Sequence, residues 1–232
     1  MIKAVFFDLF QTLVRYEPPR EELLAQALKD FGVTVRPDTL RHPLVSADEY
    51  IYQEIARRPL GRRTPEEKMA LYVRHQEILL EGAGIAPEPG LVMGVLGKMQ
   101  RHQMQLVLFD DVAPVLDGLK KRGLVLGMVS NVDSDMSAVF ERLGLGHRLD
   151  VIVTSSDAGV SKPDPGIFRE ALRRAGVQPA DAVYVGDQYQ VDIVGARAAG
   201  MAAVLLDRTG YYSEITDCPR IKSLSELTDY LT

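Results

Sequence analysis

The chain predicts an α/β fold: a parallel sheet covered by helices on both faces, with a helical segment inserted after the first strand. Two observations carry this expectation. Residues 2–7, broken only by Lys3, and 125–129, 151–154, 183–186 and 203–206 are short apolar runs without the in-out alternation of a half-exposed strand. Helical stretches such as 165–175 and 191–199 separate the later ones, and that pattern belongs to a parallel sheet buried on both faces. The second observation is the change of period after residue 7, which stays helical until about residue 106.

Taken in order, residues 2–7 form the first strand. Leu23, Leu24, Ala27, Leu28 and Phe31 then fall on one face of a helix that Gly32 can end. Ser46 with Glu49, and Thr64 with Pro65 and Glu67, have capping-box spacing, so each is expected to open a helix. A fourth helix is expected over 89–103. Strand and helix alternate afterwards, and Ser223 with Glu226 predicts a final capped helix. The expected domains are a core of residues 1–14 and 107–232 and an insertion of residues 15–106.

With 232 residues, 46% hydrophobic and 25% charged, the chain is large enough for a full core plus an accessory domain. A net charge of -5 offers no basic footprint, so neither nucleic acid nor an anionic membrane is an expected partner. Cys218 is the only cysteine and cannot form an internal disulfide. No signal-peptide pattern or apolar run of about 18 residues occurs, which makes cytoplasmic the expected location.

Four polar clusters lie on the C-terminal side of an apolar run or in the loop beyond it: Asp8 with Thr12, Ser130 with Asn131, Lys162 with Pro163, and Gly186-Asp187 with Asp192. Ligands of open α/β sheets sit beyond the carboxyl ends of the strands, where the pattern places Asp8, Ser130 and Asp187. An aspartate there can attack phosphorus or carbon and leave an acyl intermediate for water to resolve. Taken singly, each cluster also has an ordinary reading, as a helix cap, a turn, a solvated lysine or an acid at a helix N-terminus. Three carboxylates at one crevice alter the balance. They repel by roughly 4 kcal/mol per close pair at an effective dielectric of 20, so a cation belongs among them. All-oxygen ligands favour magnesium.

In this order the clusters resemble the haloacid dehalogenase-like hydrolase superfamily, in its helical-cap subfamily, from the first strand to beyond Asp192. The resemblance implies a Rossmann-like core with an inserted α-helical cap that closes on the crevice. It implies Asp8 as nucleophile, with Thr12, Ser130, Asn131 and Lys162 as further catalytic residues. Ser130, Asn131 and Lys162 would also contact the phosphoryl group. Magnesium would be held by Asp8, the backbone carbonyl of Phe10, Asp187 and Asp192.

Two departures from the family pattern stand out. Phosphatases of the superfamily usually carry a second aspartate where this chain has Phe10, and glycine is common where it has Gln11. Losing that proton-transfer group predicts slow turnover of alkyl esters, since general acid-base help is typically worth about 100 to 10,000-fold. An aromatic residue at this position is what 2-haloacid dehalogenases carry, because halide leaves without a proton. Against that rival, dehalogenases usually replace the first acid of the last motif and need no metal, whereas GDQYQVD is intact here. They also typically have tyrosine where Phe168 stands.

The expected function is therefore a magnesium-dependent phosphohydrolase working through an aspartyl-phosphate intermediate on a small phosphorylated metabolite, with good leaving groups favoured. A metal-independent 2-haloacid dehalogenase and a non-catalytic phosphate- or metal-binding scaffold are the alternatives. The expected assembly is a monomer or homodimer. His42, His75, His102 and His147 lack metal-ligand spacing, and Arg36, Arg41, Arg57, Arg58, Arg62 and Arg63 of the insertion read first as a solvated face.

Overall fold

In this computed structural model, which describes residues 1–132 and 136–231, the chain divides into two compact units. One comprises Met1–Arg15 with Leu106–Thr232, the other Tyr16–Gln105. Residues 133–135 and 232 of the expected core lie outside the described residues. The chain begins with β1 (Ala4–Phe7) and β2 (Val14–Glu17), followed by the helices α1 (Arg20–Lys29), α2 (Arg41–Arg57), α3 (Pro65–Gly82) and α4 (Pro89–Met99). It continues with β3 (Gln105–Leu108), α5 (Val112–Lys121), β4 (Val125–Ser130), α6 (Ser137–Arg142), β5 (Val151–Thr154), α7 (Ser155–Ala158) and α8 (Pro165–Ala175). Then come β6 (Ala182–Gly186), α9 (Val194–Ala198), β7 (Ala202–Leu206), β8 (Arg220–Ile221) and a 3-10 helix at Leu224–Tyr230.

Among the described residues the larger sheet has six strands in the order β5-β4-β1-β6-β7-β8, and every pairing in it is parallel. The order matters for function. The chain builds outward from β1 through β4 to β5, then returns to the other side of β1 to lay down β6 and β7. β1 therefore stands at the topological switch point, where a crevice opens beyond the strand ends. Phe7 is level with Met128 of β4 and Val185 of β6. The next residues of all three strands consequently emerge side by side.

Alternation along the buried strands supplies the two sheet faces. Val5 and Phe7 join Leu126, Met128, Val183, Val185, Val204 and Leu206 in one cluster. Leu116 and Leu119 of α5, and Leu224 and Leu227 of the 3-10 helix Leu224–Tyr230, belong to the same cluster. Phe6 and Tyr184 have the opposite parity and are equally buried. Tyr184 meets the Phe168 ring of α8 edge-to-face at 5.0 Å. Burying each such aliphatic side chain contributes roughly 1.5–3 kcal/mol, and truncating Leu116 to alanine would cost about 2–5 kcal/mol. The smaller sheet pairs β2 with β3. The mixed sequence VRYE of β2 gives little strand signal.

In the helical unit, Leu24, Ala27 and Leu28 of α1, Leu44 and Ala47 of α2, Leu79 and Leu80 of α3, and Val92 and Val95 of α4 form a separate core. Thr64 closes the expected capping box with Glu67, and Pro65 occupies the first turn. Three expectations need correction. Ser46 lies inside α2 rather than at its start, because the helix opens at Arg41 and Pro43 sits in the first turn, where a missing N–H costs nothing. Phe31 is 43% exposed, because α1 stops at Lys29 and the 3.6-residue repeat no longer governs it. α4 ends at Met99, short of residue 103.

A buried polar cluster also ties this unit together. The Arg20 guanidinium grips both oxygens of Asp48, at 3.0 and 2.5 Å, and His75 Nε2 lies 3.1 Å from the same carboxylate. Burial by itself would raise the Asp48 carboxyl, but Arg20 and His75 hold it down at about 2. Among the other arginines of the insertion, Arg36, Arg41, Arg57, Arg58 and Arg63 pair with Asp38, Glu21, Glu54, Glu67 and Glu54 respectively. No helix among the described residues is long and apolar enough to cross a membrane.

Candidate active site

Asp8 directly follows β1, and its backbone N–H continues the ladder by donating to the Val185 carbonyl at 2.9 Å. The side chain is thereby fixed between Ser130, the last residue of β4, and the segment that leaves β6. Ser130 Oγ donates to Asp8 Oδ1 at 3.4 Å. Lys162 reaches the same oxygen at 2.5 Å and Asp192 Oδ1 at 2.6 Å, and its Nζ lies 3.1 Å from the Tyr184 hydroxyl. Among the described residues, Asp8, Asp187 and Asp192 can each offer an oxygen such that all three lie within 4.8 Å of one another.

The local sequence explains how these groups are held. Asn131 clamps the Lys162 peptide in both directions, its Nδ2 donating to the Lys162 carbonyl at 3.0 Å and its Oδ1 accepting from the Lys162 N–H at 2.7 Å. Its side chain thus positions the lysine. One turn of π-helix, Tyr189–Ile193, replaces the expected start of a regular helix at residue 191 and precedes α9. Asp192 Oδ2 accepts from the Gln188 N–H at 3.0 Å across that turn. Gly186 is required there, since a Cβ on it would stand 2.4 Å from the Asp192 carboxylate. Thr12 is fully buried, with its hydroxyl 3.5 Å from Asp187 Oδ1.

Between these residues the backbone departs from ordinary geometry. Gln11 adopts φ 57°, a left-handed conformation that favours glycine. Phe10 forms a bridge with Val14 and packs against the core cluster of the sheet. It brings no ionisable side chain to the position after Leu9.

Charge and burial set the protonation states. Burial pushes the Asp8 carboxyl up to about 6, with Lys162 opposing and Asp192 assisting the rise. Burial, then the neighbouring Asp8 and Asp192, raise Asp187 well above the usual carboxylate range. Burial disfavours the Lys162 ammonium, yet Asp192 and Asp8 outweigh it, so the lysine stays charged. Among the described residues, the three carboxylates, once ionised, and one ammonium would leave two negative charges. A divalent cation with oxygen preference fits that donor set, and it would displace the protons that burial otherwise favours.

The sequence clusters Asp8, Thr12, Ser130, Asn131, Lys162, Asp187 and Asp192 are therefore all neighbours beyond the carboxyl ends of the central strands β4, β1 and β6. Sequence reasoning missed Tyr184, which links Lys162, Asp192 Oδ1 (3.2 Å) and the Val129 carbonyl (3.0 Å). A hydroxyl in the otherwise apolar AVYVG strand was the available signal. Gln188, 5% exposed and bonded to Asp187, was missed too.

Known proteins resemble this chain along most of its length. Residues 2–200 match the family described as haloacid dehalogenase-like hydrolase. A glyceraldehyde 3-phosphate phosphatase from Methanopyrus kandleri is 36% identical over 213 residues, 91% of this chain and 86% of that protein. Among solved structures, a 2-haloacid dehalogenase from Pseudomonas syringae pv. Tomato DC3000 is 32% identical with TM-score 0.56, covering 100% of this chain and 98% of the other. A HAD phosphatase from Thermococcus onnurineus is 26% identical with TM-score 0.57, covering 99% and 98%. A family match over residues 2–200, with a relative 36% identical across 91% of this chain, shows that the chain belongs to the haloacid dehalogenase-like hydrolases.

Proposed function

We propose that the protein is a magnesium-dependent phosphohydrolase that works through an aspartyl-phosphate intermediate on a small phosphorylated metabolite. The observation that carries this reading is the convergence of Asp8, Asp187 and Asp192, whose oxygens lie within 4.8 Å of one another beside Lys162, a donor set that suits a divalent cation able to bridge to a phosphoryl group. The similarity to the Methanopyrus kandleri phosphatase supports it. Magnesium would be held by Asp8, Asp187, Asp192 and the Phe10 carbonyl, and would supply positive charge against the nucleophile and the phosphoryl oxygens.

In this reading Asp8 attacks phosphorus and the bond to the ester oxygen breaks. The leaving group departs as its anion and takes a proton from water. A second displacement by water releases inorganic phosphate and returns the Asp8 carboxylate. Ser130 and the backbone at Asn131 bind the phosphoryl oxygens, and Lys162 offsets the charge of the approaching dianion. Phe10 supplies no proton to the leaving group, so good leaving groups are favoured. The helical unit 16–105 is assigned the part of a substrate-selecting cap.

Phe10 is also the specific observation behind the second reading, a metal-independent 2-haloacid dehalogenase, which the similarity to the Pseudomonas syringae enzyme supports. One screen separates them. Purified protein is given an activated aryl phosphate with magnesium, and a 2-haloacid without it. Phosphate release that needs magnesium upholds the phosphohydrolase, halide release without metal replaces it with the dehalogenase, and neither leaves a binding scaffold.

A further inference from the structure

Beyond the carboxylates, a second line of buried polar groups leads away from Asp187. Gln188 touches both acids of the pair: its Nε2 donates to Asp187 Oδ2 at 3.0 Å and its backbone N–H donates to Asp192 Oδ2 at 3.0 Å. On the other side, the Tyr212 hydroxyl lies 3.5 Å from Gln188 Oε1, a long hydrogen bond between two buried side chains. The turn carrying Tyr212 is held by Asp207, itself 3% exposed. Asp207 Oδ1 accepts from the Tyr211 N–H at 2.9 Å and Oδ2 from the Tyr212 N–H at 3.1 Å, while Arg220 donates to Oδ2 at 3.1 Å.

The chemistry of each link fixes a direction. An amide turned by half a revolution would set its oxygen against a carboxylate oxygen, two acceptors facing each other. With Tyr212 donating to Oε1, Nε2 must face Asp187. A neutral donor also suits the place. A lysine would compete with a cation for the charge, a glutamate would add a fourth anion, and a methionine would leave Oδ2 bare. Asp192 is oriented by hydrogen bonds at both oxygens, Oδ1 beside Lys162 and Tyr184 and Oδ2 beside Gln188. Asp187 Oδ1 meets only the Thr12 hydroxyl at 3.5 Å among the described residues.

We propose that Gln188 is a positioning residue for the acidic pair, holding one oxygen of Asp187 so that the other is presented to a divalent cation, and that Tyr212 keeps the Gln188 amide in the productive orientation. This inference rests on the magnesium reading above. Neither side chain touches the reacting atoms; both act through Asp187.

The test uses full-length wild type, Gln188→Met and Tyr212→Phe, with magnesium chloride as the probe. Magnesium dissociation constants are taken by calorimetry, thermal unfolding is followed in chelator and in magnesium, and kcat is measured against magnesium concentration on an aryl phosphate. Gln188→Met is expected to weaken magnesium about 10 to 100-fold, the usual effect of losing a group that orients a metal ligand. High magnesium should restore most of kcat. Tyr212→Phe should shift the same constant in the same direction by about 2 to 10-fold, as one hydrogen bond warrants. Wild-type magnesium affinity in both variants, or losses matched by lower melting temperature in chelator and not rescued by metal, would overturn the role of Gln188 alone. Wild type that binds no magnesium would overturn the cation reading along with it.

Discussion

Replacing Lys162 with methionine removes the cation that, among the described residues, pairs with Asp8 and Asp192, while keeping most of its volume. Its Nζ lies 2.5 Å from Asp8 and 2.6 Å from Asp192, with the side chain 3% exposed. Each contact is worth roughly 6 kcal/mol before desolvation at an effective dielectric of 20, and most of that offsets the cost of burying the charges. What decides the outcome is the state left behind, with Asp8 and Asp192 buried and uncompensated. Breaking one side of a buried ion pair costs about 3–5 kcal/mol. At about 2–4 °C per kcal/mol for a chain of this size, the metal-free variant should melt roughly 6–20 °C lower at pH 7. The deficit should shrink at pH 5, because the Asp8 carboxyl already stands at about 6 with the lysine present and moves higher without it. Magnesium should recover more of the melting temperature in the variant than in wild type, through binding to the folded state alone. Scanning calorimetry at both pH values, with magnesium and with chelator, measures all three effects. An unchanged melting temperature, or a deficit indifferent to both pH and magnesium, would refute the charge argument.

Other perturbations test the remaining parts. Asp8→Asn should keep the fold and abolish turnover; near wild-type rates in a steady-state assay would remove Asp8 as nucleophile. Phe10→Asp should raise kcat/KM for alkyl phosphates relative to aryl phosphates, by about 100-fold where geometry permits, and an unchanged ratio would mean another group already supplies the proton. In wild type without metal, Asp8 rises from 3.8 to about 6 on folding, so its contribution is complete below about pH 4 and is lost as pH climbs through 6. Urea midpoints in chelator should therefore fall by the equivalent of about 3 kcal/mol across that window, and a flat profile would contradict the assignment. Gln11→Gly should be neutral or stabilise by up to about 1 kcal/mol, because relief of the left-handed backbone outweighs the added chain entropy. Gln11→Val at the same φ of 57° should destabilise, and urea titration distinguishes the two.

Local chemistry was legible in the amino-acid order. The apolar runs marked β1 and β4 to β7 because strands buried on both faces admit little else. Thr64 with Glu67, and Ser223 with Glu226, announced helix starts because a capping box is complete within four residues. Ser46 with Glu49 has the same spacing and misled, since three residues apart is also one turn of helix interior. The clusters at Asp8, Ser130, Lys162 and Asp187 were visible one by one, each on the C-terminal side of an apolar run or in the loop beyond it. Their meeting was settled by strand order, which sets β1 between β4 and β6. Only the folded chain lays the Asn131 amide along the Lys162 peptide, turns the Tyr184 hydroxyl toward Asp192, and links Tyr212 to Gln188. Those partners lie 31, 8 and 24 residues apart. Propensity and periodicity act within a turn or a strand, whereas a hydrogen bond between distant residues exists only once packing has fixed both ends.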